Sequence, residues 1–201
     1  MKLRQIFFSL RILFLPLFLF SCSTKQKTDN ASPKNLVEIR VLATTDLHGW
    51  LLPIKDDESD TYEGGLAYMA GKFEGREKYN ADDFLLLDAG DLWTGPPAST
   101  LLKGKPVVDV YNYIKYDAVS IGNHEFDFGQ DILETRYKEC KFPLLAANVF
   151  YSANNQRPIY AKPYVILNYK GMKVGILGFA NPETPKTTTL TNLTGLKFTA
   201  I

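Results

Sequence analysis

Carboxylate, amide and imidazole side chains recur in three short segments of this sequence, and such side chains hold divalent cations in proteins. The chain has 2 histidines, and each stands within 3 residues of an aspartate. Two cations held about 3.5–4 Å apart lower the pKa of a water molecule and stabilise the attacking and leaving oxygens of a phosphate ester. The pattern therefore indicates metal-assisted hydrolysis of phosphate esters. The segments are TTDLHG, LLLDAGD and SIGNHEFDFG, with the candidate residues Asp46, His48, Asp91, Asn123, His124 and Asp127.

The residue types suit different positions around two cations. Asp46 and His48 are two residues apart, so on a strand-like backbone both side chains point to one side and hold one cation. Asp91 has two oxygens that can bridge two cations, whereas Asn123 offers a neutral amide oxygen. Taken singly, an aspartate after a strand is usually a helix cap or a turn residue, and we interpret Asp88 as such a supporting residue. The order of the three segments together favours a metal site.

The elements that must position these residues alternate along the chain, which predicts an α/β layered domain with its ligand site at the carboxyl ends of the strands. Each candidate segment directly follows a predicted strand. Strands are predicted at residues 36–43, 84–88, 118–121 and 143–150, and helices at residues 65–79, 107–114 and 130–138. Residues 164–179 are predicted to form a hairpin that turns at Lys170 and Gly171.

The N-terminal segment differs in composition from the rest. Basic residues precede the apolar run 12–20, which is too short to span a bilayer, so residues 1–21 are predicted to be an export signal peptide. Leu19-Phe20-Ser21-Cys22 resembles the lipobox of bacterial lipoproteins, which implies that Cys22 is lipidated and anchors the protein to the bacterial cell envelope. An ordinary secretory signal with an incidental cysteine is the alternative. Residues 22–35 are polar and are predicted to be a flexible tether.

Charge and motif spacing exclude other classes of function. The 23 basic and 22 acidic residues nearly cancel, so no nucleic-acid polymer is expected as a partner. His124-Glu125 resembles the start of an HExxH zinc motif, but Phe128 stands where the second histidine is required. The segment KVGILGFAN lacks the GxGxxG spacing of dinucleotide-binding turns. Cys140 has no partner if Cys22 is lipidated, and it is predicted to be a small buried hydrophobic residue.

The motifs TTDLHG, LLLDAGD and SIGNHEFDFG resemble those of the calcineurin-like metallophosphoesterases. Within this family, the three motifs are similar to those of the exported group of 5′-nucleotidases, UDP-sugar hydrolases and 2′,3′-cyclic-nucleotide phosphodiesterases. The segments FPLLAANVF and GMKVGILGFANPETP also resemble segments of this group. The resemblance runs from residue 36 to near the end of the chain. It implies a layered metallophosphoesterase domain whose β-sheets are flanked by helices. It also implies a nucleotide or another phosphoester as substrate, and two divalent ions, Mn, Zn, Mg or Fe, as cofactors.

The resemblance assigns metal ligands residue by residue. It implies that Asp46 and His48 bind the first metal, that Asp91 bridges the two metals, and that Asn123 binds the second. Family members complete these sites with histidines from later segments, including a Gly-His-x-His-like one. This sequence has no histidine after His124, so the second metal site is expected to be incomplete in the chain.

The resemblance also implies catalytic roles for two residues beside the metals. His124 matches the histidine that contacts the phosphate or the leaving group, and Asp127 matches the carboxylate that orients this histidine and raises its pKa. The alternative for Asp127 is a cap of the helix that follows. We interpret Glu125 and Phe126 as spacers that let the turn reach that helix.

Residues 36–201 are interpreted as the N-terminal part of a C-terminally truncated metallophosphoesterase domain. The resemblance implies a further C-terminal domain that binds the nucleobase, and we interpret the 201 residues as not including it. We therefore expect little or no hydrolase activity from the 201-residue chain by itself. The favoured substrates are 5′-nucleotides, with 2′,3′-cyclic nucleotides and 3′-nucleotides as the alternative. A non-catalytic surface lipoprotein that retains the fold for binding is the alternative from another class.

Overall fold

The computed structural model describes residues 36–201, which contain ten short strands and five helices. The predicted signal peptide and tether lie outside the described residues. The strands are β1 (Arg40–Thr44), β2 (Ile54–Asp56), β3 (Thr61–Glu63), β4 (Phe84–Asp88), β5 (Ala118–Ser120), β6 (Leu144–Leu145), β7 (Val149–Tyr151), β8 (Tyr164–Tyr169), β9 (Met172–Leu177) and β10 (Leu196–Phe198). The helices are α1 (Gly65–Gly75), α2 (Pro97–Thr100), α3 (Lys105–Ile114), α4 (Gln130–Glu139) and α5 (Thr184–Thr187), with 3-10 turns at His124–Phe126 and Leu190–Leu193.

A four-stranded parallel sheet in the order β1-β4-β5-β6 carries the candidate site. The sequence FLLLD makes β4 an inner strand, because a continuous apolar run can be buried on both faces. Phe84, Leu85 and Leu86 are all buried, and Leu86 is fully so. Strand β4 pairs with β1 from Arg40 opposite Phe84, and with β5 on its other side. The predicted α/β fold class is confirmed.

Helix α3 covers the sheet with an amphipathic face. Its start combines Gly104 in a left-handed conformation (φ 78°) with Pro106 in the first turn, where a missing backbone N–H costs nothing. Val107, Val108 and Tyr111 are fully buried in the core. The ring of Tyr111 stacks on Tyr116 with centroids 3.9 Å apart. Tyr111 and Tyr116 therefore pack in the core, and the Tyr111 hydroxyl joins the helix to the sheet by donating to Asp88 below the candidate site.

The predicted hairpin is confirmed, and its turn explains why the chain reverses there. Strands β8 and β9 pair antiparallel from Tyr164 opposite Leu177 to Tyr169 opposite Met172. The two linking residues, Lys170 and Gly171, both have positive φ angles, 48° and 81°. A two-residue turn of this kind matches the twist of the flanking strands.

The prediction of one strand over residues 143–150 is wrong, because the segment divides between two sheets. Strand β6 closes the parallel sheet, whereas β7 pairs antiparallel with β10. The buried Asn148 makes the break: its Nδ2 donates to the Ala180 carbonyl (2.8 Å) and its Oδ1 accepts from the Ala180 N–H (2.9 Å). The Asn148 side chain thus forms the hydrogen bonds with the Ala180 backbone that a continued strand would have formed with its own backbone.

The other boundaries shift by a few residues. The first strand begins later than predicted, at Arg40, and the first helix ends earlier, at Gly75. That helix stops because Lys78 is left-handed (φ 55°) and Tyr79 turns back to donate its hydroxyl to the Ile114 carbonyl (2.9 Å). None of the helices between residues 36 and 201 has the length and apolar character needed to cross a membrane.

Leu86→Ala should lower the free energy of unfolding by about 2–5 kcal/mol, because Leu86 is fully buried in the inner strand and its truncation leaves a cavity. Urea unfolding followed by circular dichroism measures the change. The matched control is Leu101→Ala, at a side chain that is 79% exposed, and it should have a small effect. Equal effects of the two substitutions would contradict the assigned core.

Candidate metal centre

The candidate residues lie in three loops that leave adjacent strands of the parallel sheet. Asp46 and His48 follow β1, Asp91 follows β4, and Asn123 and His124 follow β5. Because these strands are parallel neighbours, their carboxyl ends lie at one edge and bring the loops together.

Three of the candidate side chains converge at this edge. One ligand atom each of His48, Asp91 and His124 lies within 4.8 Å of the others. The two imidazole rings meet edge to face, with centroids 4.8 Å apart. Asp46 lies beside this group, with its Oδ1 3.6 Å from Nε2 of His48. Two carboxylates and two imidazoles therefore share one small region.

The expectation that Asp46 and His48 share a strand-like backbone is wrong, although their side chains do meet. Asp46, His48 and Asp91 all have positive φ angles, 52°, 47° and 60°. Such a conformation costs about 1–3 kcal/mol at a residue other than glycine and persists only where the surroundings impose it. The two loops impose it here by pairing: the backbone N–H groups of Asp46 and His48 donate to the carbonyls of Gly90 (3.0 Å) and Asp91 (2.9 Å).

The structure fixes the tautomer of His48. Its Nδ1 lies 3.2 Å from the carbonyl oxygen of Thr94, which can only accept a hydrogen bond. Nδ1 therefore carries the proton, and the lone pair of Nε2 is left for a cation. This is the nitrogen that faces Asp46.

The loop after Asp91 packs closely against the backbone of His48 and Gly49. A Cβ atom on Gly95 would lie 1.7 Å from the carbonyl oxygen of His48, and one on Gly49 would lie 2.6 Å from the Cβ of Ser99. Ser99 is fully buried and donates its hydroxyl to the Trp93 carbonyl (2.7 Å). The sequence DLWTGPPAST, which forms this loop, thus holds the His48 backbone through close backbone contacts.

His124 and Asp127 form a pair on the opposite side of the site. Nδ1 of His124 lies 2.6 Å from Oδ2 of Asp127, one turn along the chain. Burial acts to lower the pKa of His124, but the hydrogen bond and charge of Asp127 outweigh it, so its pKa is raised above the ordinary value. The helix after this turn begins beyond Gly129 without a side-chain cap, so the side chain of Asp127 serves His124.

Asn123 belongs to the third loop, which follows β5 and contacts the side chain of Asp91. A Cβ atom on Gly122 would lie 2.2 Å from Oδ1 of Asp91, so only glycine lets the loops approach this closely. The backbone N–H of His124 donates to the same Oδ1 (2.9 Å), and the Asn123 carbonyl accepts from the Thr188 hydroxyl (2.8 Å). Within residues 36–201, the Asn123 side chain makes no capping hydrogen bond to the 3-10 turn that follows.

The interpretation of Glu125 as a spacer is wrong. Its side chain is fully buried, and its carboxylate accepts hydrogen bonds from the backbone N–H groups of Asp91 (2.9 Å), Leu92 (2.7 Å) and Gly122 (2.7 Å). Burial raises the pKa of Glu125 to about 7 although these donors act to lower it. The sequence carries no signal for this role, because two of the three donors that make burial of the carboxylate possible lie in another loop, 34 and 33 residues away.

Asp88 supports the site from below, in agreement with its interpretation as a supporting residue. Its carboxylate accepts hydrogen bonds from the hydroxyls of Thr44 and Tyr111 and from the backbone N–H of Gly90 (2.7 Å). Burial raises the pKa of Asp88 to about 6. It therefore connects the ends of β1 and β4 to helix α3.

The donor set suits a divalent cation. Carboxylate oxygens of Asp46 and Asp91, Nε2 of His48 and the amide oxygen of Asn123 are ligands that Mn²⁺, Zn²⁺, Mg²⁺ and Fe²⁺ accept in different proportions. The close approach that Gly122 permits places the Asp91 carboxylate against the third loop, where Oδ1 accepts the His124 N–H.

Residues 39–200 match the family model described as calcineurin-like phosphoesterase. The chain belongs to this family. Its membership confirms the resemblance drawn from the three motifs and accounts for the parallel sheet that carries them. Members of the family depend on divalent metals, and the clustered His48, Asp91 and His124 agree with that dependence.

Calcineurin-like phosphoesterases similar to this chain include several nucleotidases. The chain is 38% identical over 156 residues to the snake venom 5′-nucleotidase of Naja atra, a match that covers 74% of the chain and 29% of the venom protein. It is 36% identical over 157 residues to the human 5′-nucleotidase, with 74% of the chain and 27% of that protein covered. It is 32% identical over 200 residues to the trifunctional nucleotide phosphoesterase YfkN of Bacillus subtilis, covering 87% of the chain and 13% of that protein.

Solved structures show the same fold. The 5′-nucleotidase precursor of Thermus thermophilus superimposes with a TM-score of 0.68 at 27% identity, over 81% of this chain and 32% of that one. The calcineurin-like phosphoesterase YfkN of Bacillus subtilis gives a TM-score of 0.66 at 32% identity, over 81% of this chain and 54% of the other. The chain thus spans less than a third of the length of the venom and human relatives.

Asp91→Asn should abolish stabilisation by Mn²⁺ while leaving the metal-free protein at least as stable as wild type. Asparagine tolerates the left-handed conformation and keeps the oxygen that accepts the His124 N–H, but it removes the charge that binds a cation. Thermal unfolding with and without Mn²⁺ measures both effects, and Asp131→Asn on the exposed face of α4 is the control. An undiminished Mn²⁺ shift in the Asp91 variant would contradict this site.

Asp88→Asn should remove a pH dependence of stability. The folded state raises the pKa of Asp88 from 3.8 to about 6, so the folded protein binds more protons than the unfolded protein between these values. The wild-type free energy of unfolding therefore loses this contribution as pH rises through about 6. Relative to wild type, the variant should gain up to about 3 kcal/mol between pH 4 and pH 7.

Urea unfolding across this pH range measures the difference between Asp88→Asn and wild type. Asp82→Asn, at an exposed position in the loop before β4, is the matched control. A constant difference between the Asp88 variant and wild type would show that Asp88 does not titrate in this way.

Proposed function

We propose that the protein is a metal-dependent phosphoester hydrolase that acts on nucleotides in the manner of a 5′-nucleotidase. The observation that carries the proposal is the convergence of His48, Asp91 and His124, with Asp46 and Asp127 beside them, at the carboxyl edge of a calcineurin-like phosphoesterase sheet. The 5′-nucleotidases similar to this chain in the venom of Naja atra and in humans support the substrate class.

The proposed ligands divide between two cations. Asp46 and His48 would hold one cation, the Asp91 carboxylate would be available to both, and Asn123 would offer its amide oxygen to the second. When bound, two divalent cations supply an activated water and neutralise charge on the phosphoryl oxygens. His48 is prepared for its part, because the Thr94 carbonyl keeps the proton on Nδ1 and leaves Nε2 free to coordinate.

His124 is the proposed catalytic residue, and Asp127 positions it. Asp127 occupies Nδ1 of the imidazole, so Nε2 is the nitrogen left available beside His48 and Asp91. The raised pKa of His124 favours the protonated ring, which can donate a hydrogen bond to a phosphoryl oxygen or a proton to the leaving oxygen.

A second candidate substrate class is 2′,3′-cyclic nucleotides and 3′-nucleotides. The similarity to a trifunctional nucleotide phosphoesterase over 200 residues favours it, because that match is the longest of the three described above. The proposed chemistry is the same for both classes, since each presents a phosphate ester to the same donors. Selectivity would then depend on groups that contact the nucleoside.

The proposal places the protein in the bacterial cell envelope, exported by residues 1–21 and held by a lipid on Cys22. Its support is the sequence alone, in the apolar run and the lipobox-like Leu19-Phe20-Ser21-Cys22. Nucleotides outside the cytoplasm would then be the available substrates.

The hydrolase proposal is tested with 5′-AMP, 2′,3′-cyclic AMP and UDP-glucose in the presence of Mn²⁺ or Co²⁺. Chromatography follows adenosine and phosphate from 5′-AMP, adenosine monophosphate from the opened ring of 2′,3′-cyclic AMP, and UMP with glucose 1-phosphate from UDP-glucose. The assay is run on the 201-residue chain and on the longest in-frame product of its gene. We expect turnover from a product that carries further metal ligands, with 5′-AMP the best substrate, and little or none from residues 1–201 alone. His124→Gln should reduce kcat by about 100-fold or more, because the donor to the phosphoryl group is removed.

Glu134→Gln, on the outer part of α4, is the control for His124→Gln and should keep full activity. If neither protein hydrolyses any of the three substrates, the hydrolase proposal is contradicted and a non-catalytic binding protein is favoured. Robust turnover by the 201-residue chain would contradict the expectation that further ligands are needed.

A further inference from the structure

The carboxylate of Glu125 joins two separate loops of the candidate metal centre. It is fully buried, and three backbone N–H groups donate to it, those of Asp91, Leu92 and Gly122. The first two donors are 34 and 33 residues away in sequence and belong to the loop after β4. A single side chain therefore connects the loop of Asp91 to the loop of Asn123.

The connection is reciprocal. While Glu125 accepts the Asp91 N–H, the side chain of Asp91 accepts the His124 N–H at 2.9 Å. Each loop thus supplies a carboxylate to the backbone of the other. Gly122 allows the contact, because a Cβ atom there would lie 2.2 Å from Oδ1 of Asp91.

This arrangement also orients the Asp91 carboxylate. The His124 N–H holds Oδ1, so rotation of the side chain would break this hydrogen bond. The left-handed backbone of Asp91 (φ 60°) needs a similar restraint, and the Glu125 bonds to the N–H groups of Asp91 and Leu92 supply it on both sides of the strained residue.

We propose that Glu125 is a positioning residue of the metal centre: its three backbone hydrogen bonds hold the Asp91 carboxylate against the Asn123 loop and so set the affinity for divalent cations. The inference rests on the proposed function, because it requires that Asp91 and its neighbours bind metal. The inference goes beyond the proposed function because it assigns a role to a residue that touches neither cation nor substrate. A purely structural role would instead affect folding and leave the metal affinity of the folded protein unchanged.

Glu125→Gln separates these roles. Glutamine has the same length, but its NH₂ group replaces one oxygen and faces at least one of the three donors, so one or two hydrogen bonds are replaced by a repulsive contact. The Mn²⁺ dissociation constant of the folded 201-residue chain, measured from the electron paramagnetic resonance of free Mn²⁺, should rise about 10–100-fold. An unchanged constant would overturn the inference.

Asp117→Asn is the matched control. Asp117 also accepts a backbone hydrogen bond, from the Leu86 N–H at 2.8 Å, but it precedes β5 and lies at the amino end of the strand rather than at the site. This variant should bind Mn²⁺ as wild type does. Equal weakening in both variants would attribute the effect to general destabilisation and overturn the positioning role. Failure of the wild-type chain to bind Mn²⁺ at all would overturn the proposed metal site together with this inference.

Hydrogen exchange in the wild-type protein gives a test that does not depend on a variant that folds. Because coupling between two events is reciprocal, hydrogen bonds that strengthen metal binding must be strengthened by it. Titration with Mn²⁺ should slow amide exchange at Asp91, Leu92 and Gly122 beyond the uniform change across the chain. If Mn²⁺ slows exchange at these three amides no more than it slows exchange at the other amides of the chain, the inference is overturned.

Discussion

Carboxylates and imidazoles that share a cation must lie within a few ångströms of one another, and the chain has to hold them there before the cation arrives. Like charges repel and buried charges lose their water, so the side chains themselves do not favour the arrangement. In this protein the backbone supplies the restraint. The loop of Asp46 and His48 pairs through hydrogen bonds with the loop of Gly90 and Asp91, and the left-handed residues in both loops exist because of that pairing.

Two buried carboxylates show how the restraint is extended into the core. Asp88 connects the strand ends to helix α3, and Glu125 connects the loops to each other. Both have pKa values raised by burial, which means that their charged forms are held at a cost in folding free energy. The fold tolerates this cost at the edge that carries the candidate site. The core below, with Leu86 and Tyr111 fully buried, provides the stability that offsets it.

The residue types at the site were predictable because histidine is rare here and each candidate follows a predicted strand. The fold class was predictable for a related reason, since FLLLD has the pattern of an inner parallel strand. The backbone of Asp46 and His48 was not predictable, because their φ angles are set by hydrogen bonds to residues far along the chain. Glu125 was missed because a buried acid and an exposed one look alike until the donors around it are known. The break at Asn148 likewise depends on a partner, Ala180, that lies elsewhere in the sequence.

The contact between Gly95 and the His48 carbonyl has a consequence for how such a protein can diversify. The loop that borders the site is held by its backbone and by the buried Ser99, and its outward side chains, such as Pro97 and Ala98, are exposed. Those outward positions are free to vary without moving the cation donors. The backbone of this loop therefore restrains His48, whereas that contact places no restraint on the side chains at the outer surface of the loop.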